Sequence, residues 1–174
     1  MTKITRYSFG VMSIVLVIFS SVVVYDLNRM NTEDLLQCSL GKGGFFQPSN
    51  LCESYLLHYR LGPSAIKEMT EGGGLDFILN LGGADAYTLA QIFIDNGLDV
   101  NATNKYSSDG FTALHSAVLY NDLLRVEFLV SNGADINNSS NVHNVTPLEL
   151  SKSLQGQSSD ISYEEITLFL SRQR

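Results

Sequence analysis

Residues 110–137 read GFTALHSAVLYNDLLRVEFLVSNGADIN, and this stretch decides the fold. Gly110 suits a turn, because glycine takes backbone conformations closed to other residues. Thr112-Ala113-Leu114-His115 and the small pair Ser116-Ala117 follow, a segment slim enough to pack close to a neighbour. Asn121-Asp122 breaks the pattern. Val126, Leu129 and Val130 then recur at the spacing of one helical face, and Gly133 supplies the left-handed residue that ends a helix. The stretch is one unit: turn, slim helix, break, apolar helix, stop.

This unit resembles the ankyrin repeat. Thr112-Ala113-Leu114-His115 stands where the family writes T-P-L-H, and Asn132-Gly133-Ala134-Asp135-Ile136-Asn137 closes the unit as family members do. The resemblance covers residues 74–171 and is strongest over 110–137. Residues 74–101, laid over 110–137 at an offset of 36, bring Gly74 onto Gly110, Ile78 onto Leu114, Ala90 onto Val126 and Phe93 onto Leu129. Asn96-Gly97 falls on Asn132-Gly133, and Asp99-Val100-Asn101 on Asp135-Ile136-Asn137. This copy departs at its first helix, where Asp76-Phe77-Ile78-Leu79 replaces T-A-L-H. A third copy restarts at Thr146-Pro147-Leu148-Glu149, 34 residues after Thr112, while its second helix, Ile166 to Leu170, lies 40 residues after Val126 to Val130. The difference implies an insertion of about six residues, which the polar stretch Gln155–Ser159 absorbs as a loop.

The chain has 174 residues, and the N-terminal part lies outside the repeats. Residues 9–25, FGVMSIVLVIFSSVVVY, run 17 positions without a charge behind Lys3 and Arg6. That length falls between a signal-peptide core and a minimal membrane span. Ser20 and Ser21 sit inside the run, which ends in Val-Val-Val-Tyr-Asp rather than in small residues, so an uncleaved signal anchor is favoured over a cleaved peptide. The positive-inside rule leaves residues 1–8 in the cytoplasm and exports the remainder. In a two-membrane cell this is a single-pass inner-membrane protein with its repeats in the periplasm. Cys38 and Cys52 then face an oxidising compartment, where a disulfide closing their loop is favoured over two buried thiols and contributes about 3 kcal/mol.

Between anchor and repeats, residues 26–31 read as a tether. Asn31 or Thr32 caps a first short helix, and Asn50 with Glu53 has capping-box spacing for a second, whose Leu51, Tyr55, Leu56 and Tyr59 share a side. A third short helix around 65–70 ends at Gly72-Gly73-Gly74. Residues 32–71 are read as a helical cap, since a repeat stack exposes an apolar face at each end. The expected fold is therefore all-α: a transmembrane or signal-anchor helix, a helical N-cap and an ankyrin-repeat solenoid over 72–174, with repeats at about 74–101, 110–137 and 144–171.

Composition narrows the function. From Asp26 onward nine Lys and Arg face eighteen Asp and Glu, a balance of −9, which disfavours nucleic acid and anionic lipid and favours a basic partner. No P-loop, G-x-S-x-G or HExxH pattern occurs, and His58 and His143 have no neighbour at zinc-ligand spacing. Catalytic residues, metal ligands, cofactors and a small-molecule substrate are not expected. The resemblance implies that His115 hydrogen-bonds within and between turns, and that partners bind at the inter-repeat turns and the concave first-helix face. The turn 102–109, ATNKYSSD, is longer than the family's usual one, and Asn104, Lys105, Tyr106 and Asp109 in it, with Tyr120 at the exposed end of a first helix, are the candidate contacts. The expected function is capture of another protein by an exported, anchored ankyrin module. Such small acidic anchored binders resemble immunity proteins, which occlude a delivered toxin; a scaffold for envelope assembly is the alternative, and an envelope hydrolase with a site formed only on folding is a third.

Overall fold

A computed structural model describes residues 3–157 and 162–173, and its regular elements there are all helical. The chain divides into two compact units, Met1–Arg60 and Leu61–Arg174. This boundary falls inside the 32–71 segment.

In the first unit, α1 (Lys3–Arg29) contains Val11–Arg29, long and apolar enough to cross a membrane, with a mean hydropathy of 2.0. It has the length and composition of a membrane anchor or a signal sequence. Asp26–Arg29, read from sequence as tether, continue the helix instead. Leu27 and Met30 are buried there, and Asn28 Oδ1 accepts a hydrogen bond from the Tyr55 hydroxyl at 2.5 Å. α2 (Thr32–Ser39) opens on Asn31, whose side chain accepts from the Asp34 N–H at 2.7 Å while Asp34 bonds back to the Asn31 N–H. α3 (Ser49–Tyr55) opens on Pro48 without a side-chain cap, so the Asn50–Glu53 box does not form. The chain then widens into a single π turn, Leu56–Arg60. The expected apolar side is only partly covered: Leu56 is buried, while Leu51 and Tyr59 are exposed and Tyr59 stacks on Tyr55. Cys38 and Cys52, both buried, are joined as a disulfide with Cα atoms 5.8 Å apart, tying α2 to α3.

The second unit begins with α4 (Pro63–Glu71), whose Ala65 and Met69 are buried and which packs on α5 (Gly74–Asn80). Three helix pairs follow: α5 with α6 (Ala84–Asp95), α7 (Ala113–Leu119) with α8 (Leu123–Ser131), and α9 (Pro147–Gln157) with α10 (Glu164–Arg172). The first helices α5, α7 and α9 lie side by side, and α8 and α10 form part of the second row. The 36-residue offset is visible in three dimensions. Ile78 and Leu114, Ala90 and Val126, Phe93 and Leu129 are all buried, as are Leu148, Ile166 and Leu170 of the third pair. Gly97 and Gly133, at φ +98° and +89°, end α6 and α8 in the same way, and the next amide bonds back to Phe93 or Leu129 at 2.9 Å.

Two local features differ from the sequence reading. α5 starts at Gly74, three residues ahead of the position equivalent to the start of α7, because Asp76 occupies the place of the capping Thr112 and caps nothing. α9 runs to Gln157, so Gln155–Gln157 of the expected insertion loop extend a helix; Ser158 and Ser159 lie outside the described residues. Four further residues of helix accommodate part of an insertion while keeping the backbone bonded.

Candidate protein-binding surface

The first-helix caps fix the turns. Thr112 and His115 form a reciprocal cap on α7: the Thr112 hydroxyl accepts the His115 N–H, and the Thr112 N–H donates to His115 Nδ1 at 3.3 Å. Nδ1 thus accepts, the Thr112 hydroxyl lies 2.9 Å from it, and Nε2 carries the proton, donating to the Val145 carbonyl at 2.9 Å. One buried imidazole therefore joins the second repeat to the turn of the third. Burial holds its pKa below the ordinary 6.5, against the opposing pull of the Val145 carbonyl and the Asp109 carboxylate. Glu149 does the same capping work in the third repeat, its carboxylate accepting the Thr146 N–H at 2.9 Å. Phe111 stacks on His115, with ring centroids 5.1 Å apart, and His143 leans on the same phenyl ring.

Ahead of α7 the chain makes a short hairpin, closed by the Thr103–Thr112 bridge and by Asn104 N–H bonding to the Phe111 carbonyl at 3.1 Å. This hairpin stacks between its neighbours. The Lys105 N–H reaches the Gly72 carbonyl at 3.0 Å on one side, and on the other the Ser140 hydroxyl donates to the Asp109 carbonyl at 2.6 Å. Gly110 sits at φ +69°, a backbone that favours glycine, and a Cβ there would lie a tight 3.3 Å from Val142 Cγ2. The next turn is held by Ser140 N–H to Val145 carbonyl and by Asn144 at φ +51°.

Within this frame the five candidate contacts separate. Asn104 is a strut: its amide donates to Asp76 Oδ2 at 2.8 Å and its Oδ1 accepts the Tyr106 N–H at 2.9 Å. Asp109, half-buried, accepts the Phe111 N–H at 2.9 Å. Lys105 and Tyr106 are exposed at the hairpin tip, Tyr106 by 67%, with Lys105 Nζ turned to the Thr103 hydroxyl at 2.9 Å. Tyr120, 64% exposed, is the C-cap of α7, so the whole of that helix, about 10 Å at 1.5 Å per residue, separates it from the hairpin that precedes α7. The fold brings Asn104, Lys105, Tyr106 and Asp109 together and leaves Tyr120 at the opposite end.

Two features escaped the sequence reading. Between α6 and α8, Tyr87 meets Phe128 edge to face at 5.1 Å, and with Ala84, Leu124, Glu127 and Ser131 they line an open groove of about 490 Å³. Leu124, 66% exposed and outside the buried stripe of α8, was the available signal. The repeats are also clamped by Arg125, which donates from Nη1 to Asn80 Oδ1 at 2.7 Å and from Nη2 to the Leu79 carbonyl at 3.1 Å while pairing with Asp122. On the third repeat Tyr163 donates to the Leu119 carbonyl and Asn121 to the Ser162 carbonyl. The Leu79 and Leu119 carbonyls reached in this way lie in the last turn of a first helix, where carbonyls lack intrahelical donors. Among the described residues no cluster of three His, Cys, Asp or Glu side chains is placed to hold a metal.

No curated protein matches the chain. A family model described as ankyrin repeats (3 copies) matches residues 81–161, from the C-cap of α5 past the end of α9. Residues 81–161 of this chain are ankyrin repeats, which makes this part of the molecule a protein-binding module.

Proposed function

We propose that the chain is an exported, membrane-anchored ankyrin module that captures another protein through the hairpin tip at Lys105 and Tyr106, and that capture neutralises a delivered toxin in the manner of an immunity protein. The carrying observation is pre-organisation. Asn104 ties the hairpin to Asp76 and to the Tyr106 backbone, so the tyrosine is presented on a turn that has already lost its freedom, and less entropy is lost on binding. The acidic balance beyond the anchor favours a basic partner and fast association at low salt. Export is supported by the apolar α1 behind Lys3 and Arg6 and by two cysteines held within bonding reach. Retention of α1 is supported at its far end, where Leu27 is buried and Asn28 accepts a hydrogen bond from Tyr55 of α3.

The test starts from the full chain with an affinity tag, recovered from membranes with whatever protein it holds. Alanine at Tyr106 and Tyr120 together should weaken that complex by about 2 kcal/mol, roughly thirtyfold, without shifting the melting temperature, because neither side chain is buried. Unchanged affinity would place the contact elsewhere, the groove beside Phe128 being the next surface to vary. A captured protein that is a secreted toxin, inactive while bound, supports neutralisation. A captured envelope-assembly component would replace that reading with a scaffold.

A further inference from the structure

The first unit carries an aromatic side chain that its own fold does not use. Phe46 is 86% exposed, the most exposed large apolar residue among those described. Its neighbour Phe45 turns inward over Gly43. Phe46 shares an open apolar groove of about 560 Å³ with Leu51 and with Phe19, Val23 and Val24 of α1. The groove is therefore walled on one side by the apolar helix and on the other by the segment 46–51. Gln47 donates to the Asp26 carboxylate, which fixes the level of that segment along the helix axis. Phe19 to Val24 lie within two turns of Asp26 on the apolar side, or about 10 Å at 1.5 Å per residue.

That level is where a spanning α1 leaves the bilayer. Tyr25 is exposed there, with the Arg29 guanidinium 5.8 Å over its ring, an aromatic and basic pair of the type that marks the membrane–water boundary. The exposed faces of Phe46 and Phe19 belong to one continuous apolar surface. In water such a surface would be a liability; next to a membrane span it has an occupant.

We infer that Phe46 is a second membrane contact, a side chain that enters the interfacial layer beside the exit of α1, and that the groove beneath it is filled by lipid acyl chain. This inference rests on the reading of α1 as a retained span. Backbone polar groups of a loop cannot be left in hydrocarbon, so the segment 46–48 lies at headgroup level and only the side chain points inward. A helix alone leaves the unit free to rotate about its axis; a second contact offset from that axis fixes which face of the first unit meets the membrane.

The chain contains no tryptophan, so a single substitution reports its own surroundings. Full-length Phe46→Trp and, separately, Phe19→Trp would be reconstituted in phosphatidylcholine vesicles with and without brominated acyl chains. The expected result is blue-shifted emission and loss of most of the fluorescence to the brominated lipid for both variants. Quenching of the Phe19→Trp reporter with water-like, unquenched emission from Phe46→Trp overturns the inference and leaves the span intact. Blue-shifted but unquenched emission from Phe46→Trp also overturns it, in favour of a protein covering the groove. No quenching of either reporter defeats the span itself, and the second contact with it.

Discussion

His115 offers the most direct test of how the repeats are joined. Its imidazole is fully buried, accepts from Thr112 at Nδ1 and donates to the Val145 carbonyl from Nε2, so replacing it with alanine removes hydrogen bonds on both sides of a repeat boundary. Two buried hydrogen bonds at about 1 kcal/mol each, plus about 1 kcal/mol for the space left behind, give a loss of about 3 kcal/mol. For a unit of this size that lowers the melting temperature by roughly 10–15 °C. The assay is thermal unfolding of the full chain in detergent, followed by near-ultraviolet circular dichroism. The same residue makes a pH prediction. Its folded-state pKa lies below 6.5, so on acidification the unfolded chain takes up the proton first. The contribution of His115 is complete above about pH 6.5, declines as pH falls through that value, and levels off only beneath the lowered folded-state pKa. Wild type should therefore lose more stability between pH 7.5 and 5.5 than His115→Asn, which keeps an acceptor for Thr112 but does not titrate. Parallel losses in the two proteins, or an alanine variant that melts with wild type, would refute the neutral buried bridge.

Arg125→Met keeps the aliphatic stem and removes the guanidinium that holds Leu79 and Asn80; it should destabilise the second unit by about 1–3 kcal/mol, and amide exchange should rise first at the end of α5. Cys52→Ser should lower the stability of the first unit by about 2–5 kcal/mol, and reductant should have the same effect on wild type. Alkylation of both thiols in unreduced protein from cells would contradict that prediction. A phosphatase fused after Arg174 should be active if the repeats are exported, and an inactive fusion of a well-expressed chain would place them in the cytoplasm.

The repeats were legible because their code is redundant. The first two units each specify a buried stripe, a left-handed glycine at the end of the second helix and an Asx bond just after it, and these two copies agree at an offset of 36. Asp99 and Asp135 both accept the amide two residues on at 2.9 Å, as an offset of 36 requires. What could not be read was set by partners remote in sequence. Asp76 in place of threonine shows only that a cap is missing; that its carboxylate instead meets Asn104, 28 residues away, depends on the stacking of two turns. The π turn at Leu56–Arg60 and the uncapped start of α3 are equally invisible, because nothing in the local spacing distinguishes them from an ordinary helix.

The binding surface divides by the same logic. Residue type marked Asn104, Lys105, Tyr106 and Asp109 as one polar and aromatic cluster, yet short polar side chains in a turn are the ones that find backbone and neighbouring groups within reach. Asn104 and Asp109 are taken up in this way, and a substitution at either would act on the shape of the hairpin. Longer side chains extend past the backbone they stand on. In the proposed capture the exposed side chains of Lys105 and Tyr106 meet the partner, one supplying charge and the other apolar area. A partner selected by this tip must answer both, with an acidic group placed beside an apolar recess. A basic surface on the same partner would then meet the acidic remainder of the module, so an alanine at Lys105 should weaken binding while leaving part of its salt dependence in place.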